Sequence, residues 1–122
     1  NQAVEIAVRG DNLQLPSRTA TALTVVVNEL LQNSLEHAFV GRASGRIDIS
    51  LARTPDALMI IVRDNGIGLP DTIAPNLGLE IAEALVAGDL HGEMQFNRPE
   101  TGTEITIRLP RGAERPDAAA NE

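Results

Sequence analysis

Apolar and polar residues alternate from Val4 to Gly10 (VEIAVRG), the period-two pattern of a half-buried strand. The following stretch, Asn12 to Pro16 (NLQLP), reads as a further short strand or sheet edge that Pro16 ends. From Ser17 to Phe39 the period changes. Leu23, Val26, Val27, Leu30, Leu31 and Leu35 recur three and four residues apart, which predicts a long helix capped by Ser17 or Thr19. The β-branched run Val25–Val27 is slightly unfavourable in a helix, but the long periodic context outweighs it. Val40 to Gly45 reads as a loop. Alternation returns over Arg46 to Arg53, Thr54 to Ala57 (TPDA) reads as a turn, and Leu58 to Asp64 is a nearly continuous apolar run suited to a central strand. Gly66 to Asn76 is expected to be loop. Leu77 to Leu90 resumes helical spacing through Leu79, Ile81, Ala82, Leu85 and Val86. Strands are then expected at Glu93–Arg98 and Thr103–Pro110, around a turn at Pro99–Gly102. Residues 111–122 show no apolar periodicity and are expected to be a flexible C-terminal tail.

This order predicts an α/β two-layer sandwich: a mixed, largely antiparallel sheet with helices packed on one face. The 122 residues suit one domain, expected over 1–110, with the tail over 111–122. Because the chain begins with Asn1 rather than Met, it is expected to be a piece of a longer protein. No run approaches the roughly 18 to 20 apolar residues of a membrane span, and no secretory signal is present; a cytoplasmic location without direct membrane contact is expected. The absence of cysteine rules out disulfides and thiolate metal sites.

The net charge of -7 argues against nucleic acid or an anionic membrane as a partner held by bulk charge. All ten Lys and Arg residues are Arg, so a lysine-dependent phosphate loop is excluded. Any phosphate bound here is held by backbone N–H groups, Arg or a metal.

Three constellations carry chemistry. In NELLQNSLEHA, residues Glu29, Asn33 and His37 lie four apart and share one helix face. An amide oxygen and a carboxylate aimed the same way suit a hard cation such as magnesium, which keeps several waters and completes its shell with substrate phosphates. A solvated stripe on an amphipathic helix explains the same pattern. In RDNGIGLP, Arg63 to Pro70, Asp64 ends a buried strand, and a carboxylate there needs a partner. The exocyclic amine of adenine serves, whereas guanine offers a carbonyl oxygen that a carboxylate repels. Gly66 and Gly68 remove two Cβ atoms and let a flat ligand approach the backbone. A plain DNG turn is the competing reading, weakened because no strand pattern follows. In NLGLEIAEAL, Asn76 and Gly78 stand where a helix begins; free N–H groups and the helix dipole there favour phosphate oxygens, although an ordinary capped helix start has the same sequence. Gly102 and Thr103, in TGTEITI, read equally well as a turn. Arg42, Arg46 and Arg98 read as surface residues rather than phosphate ligands.

In order and spacing these motifs resemble the ATP-binding catalytic domain of bacterial sensor histidine kinases, within the GHKL superfamily of the Bergerat fold shared with gyrase, heat-shock protein 90 and MutL. NELLQNSLEHA resembles the N box, DNGIGLP the first glycine box, NLGLEIAEALV the second, and TGTEITIRLP the closing glycine-threonine box. DLHGEMQF is similar to the His-Gly segment that precedes it. The resemblance spans nearly everything from Val4 to Pro110. It implies ATP and Mg2+ as cofactors. Asn33 would bind the metal, with Glu29 and His37 helping to place metal, water or phosphates. Asp64 would accept from the adenine amine, with Gly66 and Gly68 beside base and ribose. Leu77, Gly78 and Leu79 would lie at the phosphate-side helix start, and Thr103 would support the adenine side.

The resemblance also implies transfer of the γ-phosphate to a histidine on a separate dimerisation and phosphoacceptor domain, a downstream response regulator, and a homodimeric full-length protein. The acceptor histidine is expected outside these residues, since His37 and His91 belong to the ATP domain by their motifs. Between Pro70 and Asn76 only DTIAP remains. So short a lid is similar to that of soluble sensor kinases with a variant dimerisation domain, and to that of anti-sigma-factor serine kinases. Three alternatives stay open: such a serine kinase, a gyrase-like ATPase fragment using Glu29 as general base, and a nucleotide-sensing module without catalysis.

Overall fold

The structure is a computed structural model that describes residues 3–68 and 77–114. Along the chain come strand β1 (Ala3–Gly10), helix α1 (Ser17–His37), strands β2 (Ser44–Arg53) and β3 (Ala57–Asp64), helix α2 (Leu77–Ala87), and strands β4 (Glu93–Asn97) and β5 (Thr103–Pro110). A 3-10 turn at Arg111–Ala113 follows. The strands form one five-stranded sheet in the order β1-β2-β3-β5-β4. Strand β1 runs parallel to β2, as a long helical crossover allows; the other three pairings are antiparallel. The mixed, largely antiparallel two-layer sandwich read from the sequence is the fold observed.

Period-two alternation sets which side of the sheet is buried. Ile49, Val62, Ile105 and Phe96 stand side by side across four strands, as do Leu51, Ile60, Ile107 and Met94. This face packs against Val26 and Leu30 of α1 and Leu79, Ala82 and Val86 of α2 in a single core. The other face carries charge. Arg46 bridges Glu5 and Asp48 at 2.8 and 2.9 Å, Arg9 reaches Asp48 at 3.2 Å, and Arg63 lies 3.9 Å from Glu104. One wet and one dry face is the usual solution for an antiparallel sheet.

Several boundaries differ from those read in the sequence. Asn12–Pro16 forms no strand. After Gly10 the chain makes one more sheet-like bond, from Asp11 N–H to the Leu51 carbonyl, then leaves; Leu13 and Leu15 fill the edge of the core instead. Neither Ser17 nor Thr19 caps α1. Pro16 holds the cap position without a side-chain bond, and its carbonyl accepts from Ala20 N–H at 2.9 Å. The helix stops at His37, and Phe39 turns into the core with 1 % exposure. Helix α2 stops at Ala87 because its last carbonyls are taken by turn donors: Gly88 N–H on Ala84, Leu90 N–H on Leu85 and Gly92 N–H on Val86.

The 111–122 segment, read as tail, starts with the Arg111–Ala113 turn, and Glu114 accepts from Arg53 and Gln14. Residues 115–122 lie outside the described residues. Among the described residues no helix is long and apolar enough to cross a membrane.

Candidate nucleotide-binding site

Val26, Leu30 and Ser34 lie four residues apart, so α1 aims all three at the core. The first two are fully buried, and Ser34 is 7 % exposed. Two further polar side chains are buried to a similar degree, Asp64 at the end of β3 and Thr103 at the start of β5. Asp64 and Thr103 are direct partners across the β3–β5 ladder. Ser34 Oγ donates to Asp64 Oδ2 at 3.0 Å. The buried polar residues among the described residues are these three, on α1, β3 and β5. A carboxylate in such a place needs donors, and the Gly66 N–H supplies a second, 2.9 Å from Oδ1.

The turn after Asp64 is fastened from outside. Asn65 N–H donates to the Arg46 carbonyl at 3.2 Å, its side-chain oxygen accepts from Arg46 N–H at 2.9 Å, and its carbonyl accepts from Arg42 Nη1 at 2.7 Å. Ile67 N–H donates to the Ala38 carbonyl at 2.8 Å, satisfying an acceptor that the end of α1 leaves over. Gly66 is required by this approach: a Cβ there would stand 2.2 Å from the Ala38 carbonyl oxygen. The β4–β5 turn closes the other side, with a Cβ on Gly102 falling 1.9 Å from the Asp64 carbonyl oxygen. Arg42 and Arg46 thus brace the turn, as surface residues. The Arg46 hydrogen bond holds the Asp48 carboxyl below the usual carboxylate range.

The site residues expected from the sequence distribute as follows. Asn33 precedes Ser34 and is half-buried, as is Glu29 one turn earlier. His37 is the last residue of α1 and mostly exposed, with Nε2 3.8 Å from Glu36 Oε1. Asp64, Gly66 and Thr103 meet at the end of the sheet nearest the α1 C-terminus, and Gly68 follows with a positive φ of 88°. Leu77, Gly78 and Leu79 form the first turn of α2; Leu77 is 73 % exposed, while the Leu79 side chain is in the core. Only backbone N–H groups of that turn are suited to phosphate. The short lid, Asp71–Pro75, and Asn76 lie outside the described residues.

An open cavity of about 590 Å³ adjoins the glycine turn, a volume in the range of small-molecule sites. Gly66 and Gly68 line it, with Arg42, Arg98 and the β4–β5 turn as its other walls. Asn33, Asp64 and Thr103 are not in its lining, so this cavity meets the expected site at the glycines rather than coinciding with it.

Sequence reading missed Ser34 and the brace at Asn65. Ser34 did leave a signal: a polar residue at the next core position after Val26 and Leu30. Asn65 left none, because its partners come from β2 and the α1–β2 loop.

Among the described residues no three His, Cys, Asp or Glu side chains converge to hold a metal. A magnesium ion would be held by the Asn33 amide and the Glu29 carboxylate on one face of α1, and phosphate oxygens and water would complete its shell.

A buried carboxylate at a sheet end, held by a helix serine and followed by glycines, is an arrangement suited to a nucleotide-binding two-layer sandwich. Residues 19–113 match the family model described as "Histidine kinase-, DNA gyrase B-, and HSP90-like ATPase", and the chain belongs to that family. It is 38 % identical over 109 residues to the sensor histidine kinase PdtaS of Mycobacterium tuberculosis, covering 84 % of this chain and 22 % of that protein. It is 35 % identical over 113 residues to blue-light-activated histidine kinase 2 of Erythrobacter litoralis, covering 88 % and 32 %. The chain therefore spans about a third or less of these curated relatives. Among solved structures, the histidine kinase domain of the Erythrobacter litoralis EL346 blue-light-activated histidine kinase superposes with a TM-score of 0.83 at 31 % identity, over 100 % of this chain and 57 % of that one.

Proposed function

We propose that this domain is the Mg-ATP-binding catalytic part of a two-component sensor histidine kinase. The observation that carries the reading is Asp64, a carboxylate 5 % exposed at the end of β3, held by Ser34 and Gly66 beside a helix bearing Asn33. Each Asp64 oxygen accepts one hydrogen bond, from Ser34 or Gly66, and keeps a second acceptor position. An adenine amine fits there, and a guanine carbonyl does not. Gly66 and Gly68 make room for base and ribose, Thr103 supports the adenine side, and the α2 start at Leu77, Gly78 and Leu79 lies on the phosphate side. Asn33 and Glu29 hold the magnesium, with His37 at the rim; bound there, the ion supplies neutralisation of the phosphate charge.

The chain's task is then positioning. A histidine nitrogen of a separate phosphoacceptor domain attacks the γ-phosphorus in line, a P–N bond forms, the bond to the β–γ bridging oxygen breaks, and ADP leaves. The phosphoryl group passes on to a response regulator, and the full-length protein is a cytoplasmic homodimer. Screening over about 8 Å at physiological salt keeps the domain's negative charge from opposing an anionic ligand held at contact distance.

Calorimetric titration with ATP and GTP tests the base recognition. Asp64→Asn is expected to weaken ATP binding roughly tenfold to a hundredfold, the worth of a charged hydrogen bond, and to erode the preference over GTP. Equal ATP affinity in parent and variant would remove the assigned role. With γ-labelled ATP the isolated domain is expected to label an added phosphoacceptor domain and not itself; phosphohistidine on this chain would overturn the separate-acceptor mechanism.

A further inference from the structure

We propose that Ser34 is a positioning residue for base recognition: it fixes the plane of the Asp64 carboxylate so that one acceptor position faces the purine edge. The inference rests on the adenine reading of Asp64 and assigns Ser34 a role in base selectivity that the reading leaves open. Three observations support it. Ser34 is a polar residue, 7 % exposed, at a position whose predecessors on α1, Val26 and Leu30, are both fully buried. Its hydroxyl spends its single proton on Asp64 Oδ2 across 30 residues of sequence. The other carboxylate oxygen, Oδ1, is held by Gly66 N–H.

One donor alone leaves a carboxylate free to rotate about the bond to Cβ. Two donors, one on each oxygen and from different elements, fix that rotation. The Gly66 bond is local and comes with the turn. The Ser34 bond is the one that ties the carboxylate to α1, the helix that carries Asn33 at the adjacent position. Base recognition and metal binding are thereby held in one frame. The serine methylene is small enough that its hydroxyl can be removed with little change in packing, which makes the role testable.

The probes are ATP and purine ribonucleoside triphosphate, which lacks the 6-amino group. Their affinity ratio in each variant reports the worth of the amine contact, whatever happens to the phosphates or to stability. Ser34→Ala is expected to lower this ratio about three- to tenfold, the range of one hydrogen bond. Ser34→Thr, which keeps the hydroxyl, is expected to hold the ratio near that of the parent. In the double variant with Asp64→Asn, the Ser34→Ala loss should vanish, because the two residues act as one unit. A ratio that Asp64→Asn lowers and Ser34→Ala leaves unchanged, even with a lower Tm, overturns the positioning role and leaves the adenine reading standing. A ratio that Asp64→Asn itself leaves unchanged fails the adenine reading, and the role of Ser34 goes with it.

Discussion

The two ends of the sheet each hold a carboxylate, and they use it differently. At one end Asp64 accepts one hydrogen bond on each oxygen, from Ser34 and from Gly66, beside a glycine turn. At the other end Glu114 is consumed by the chain itself. Arg53 donates to it through two nitrogens, the Gln14 N–H adds a third bond, and only 8 % of the side chain is exposed. Arg53 also gives its backbone N–H to Asp11 and a guanidinium N–H to the Asn12 carbonyl, and Arg111 reaches the Thr54 carbonyl. This cluster clamps the β1–α1 loop, the β2–β3 turn and the C-terminal 3-10 turn together. The Arg53 hydrogen bond, followed by that from Gln14, pushes the Glu114 carboxyl down to about 2. A carboxylate held by three donors of its own chain is a fastener. One with positions left open beside a turn stripped of Cβ atoms is a receptor.

A pair of glycines tests that division most severely. Gly66, at the Asp64 end, and Gly10, at the Glu114 end, both approach a carbonyl so closely that a Cβ would fall 2.2 Å from Ala38 O and 2.0 Å from Leu51 O. Gly10 also has a φ of 116°, which an L side chain resists. Gly66→Ala and Gly10→Ala are each expected to cost about 1–3 kcal/mol of stability, the usual range for a forced overlap, measured by denaturant unfolding. Only Gly66→Ala is expected to weaken ATP binding as well. Loss of binding in both would mean that the two ends are coupled rather than distinct.

Next in size is Asn33→Ala. The ratio of ATP affinities with and without magnesium is expected to fall toward unity, while stability changes little for a half-buried side chain. A ratio unchanged from the parent's would move the metal away from α1.

The smallest effect is expected at the clamp. Glu114→Gln should lower Tm at neutral pH and leave ATP affinity unchanged. Its pH dependence has a definite sign. Because the folded carboxyl lies at about 2 against an ordinary value of 4.5, its contribution is complete above about 4.5 and is lost as pH falls toward 2. Scanning calorimetry should therefore show the Tm difference between parent and variant shrinking across that window. A difference constant down to pH 2 would dissociate the clamp from the Glu114 charge.

Much of this molecule was legible as pattern. Both helices and the principal strands follow from period, because burial of one face imposes period two on a strand and about 3.6 on a helix. Asn33, Asp64 and Gly66 stood out by residue type: an amide on a polar helix stripe, a carboxylate closing an apolar strand, and a glycine just after it. Thr103 was named through the family resemblance alone, since its own stretch reads equally well as a turn. The failures are equally physical. Asn12–Pro16 carries apolar residues in alternation, yet a strand also needs a neighbour's free edge, and the chain has left β2 by then. Ser17 and Thr19 are good caps in isolation, but the cap position falls on Pro16, whose extended backbone starts the helix without a side-chain bond.

By itself, then, the sequence determined the elements, their buried faces and the residue types able to bind a nucleotide, since each is a matter of local periodicity and chemistry. Only the tertiary structure decided which of those groups meet. That Ser34 rather than a neighbour touches Asp64, that Arg42 and Arg46 brace Asn65, and that Glu114 closes on Arg53 one pole away all depend on contacts between residues 19 to 61 positions apart. No local pattern encodes such distances; they are fixed when the helices settle on the sheet and its strands take their order.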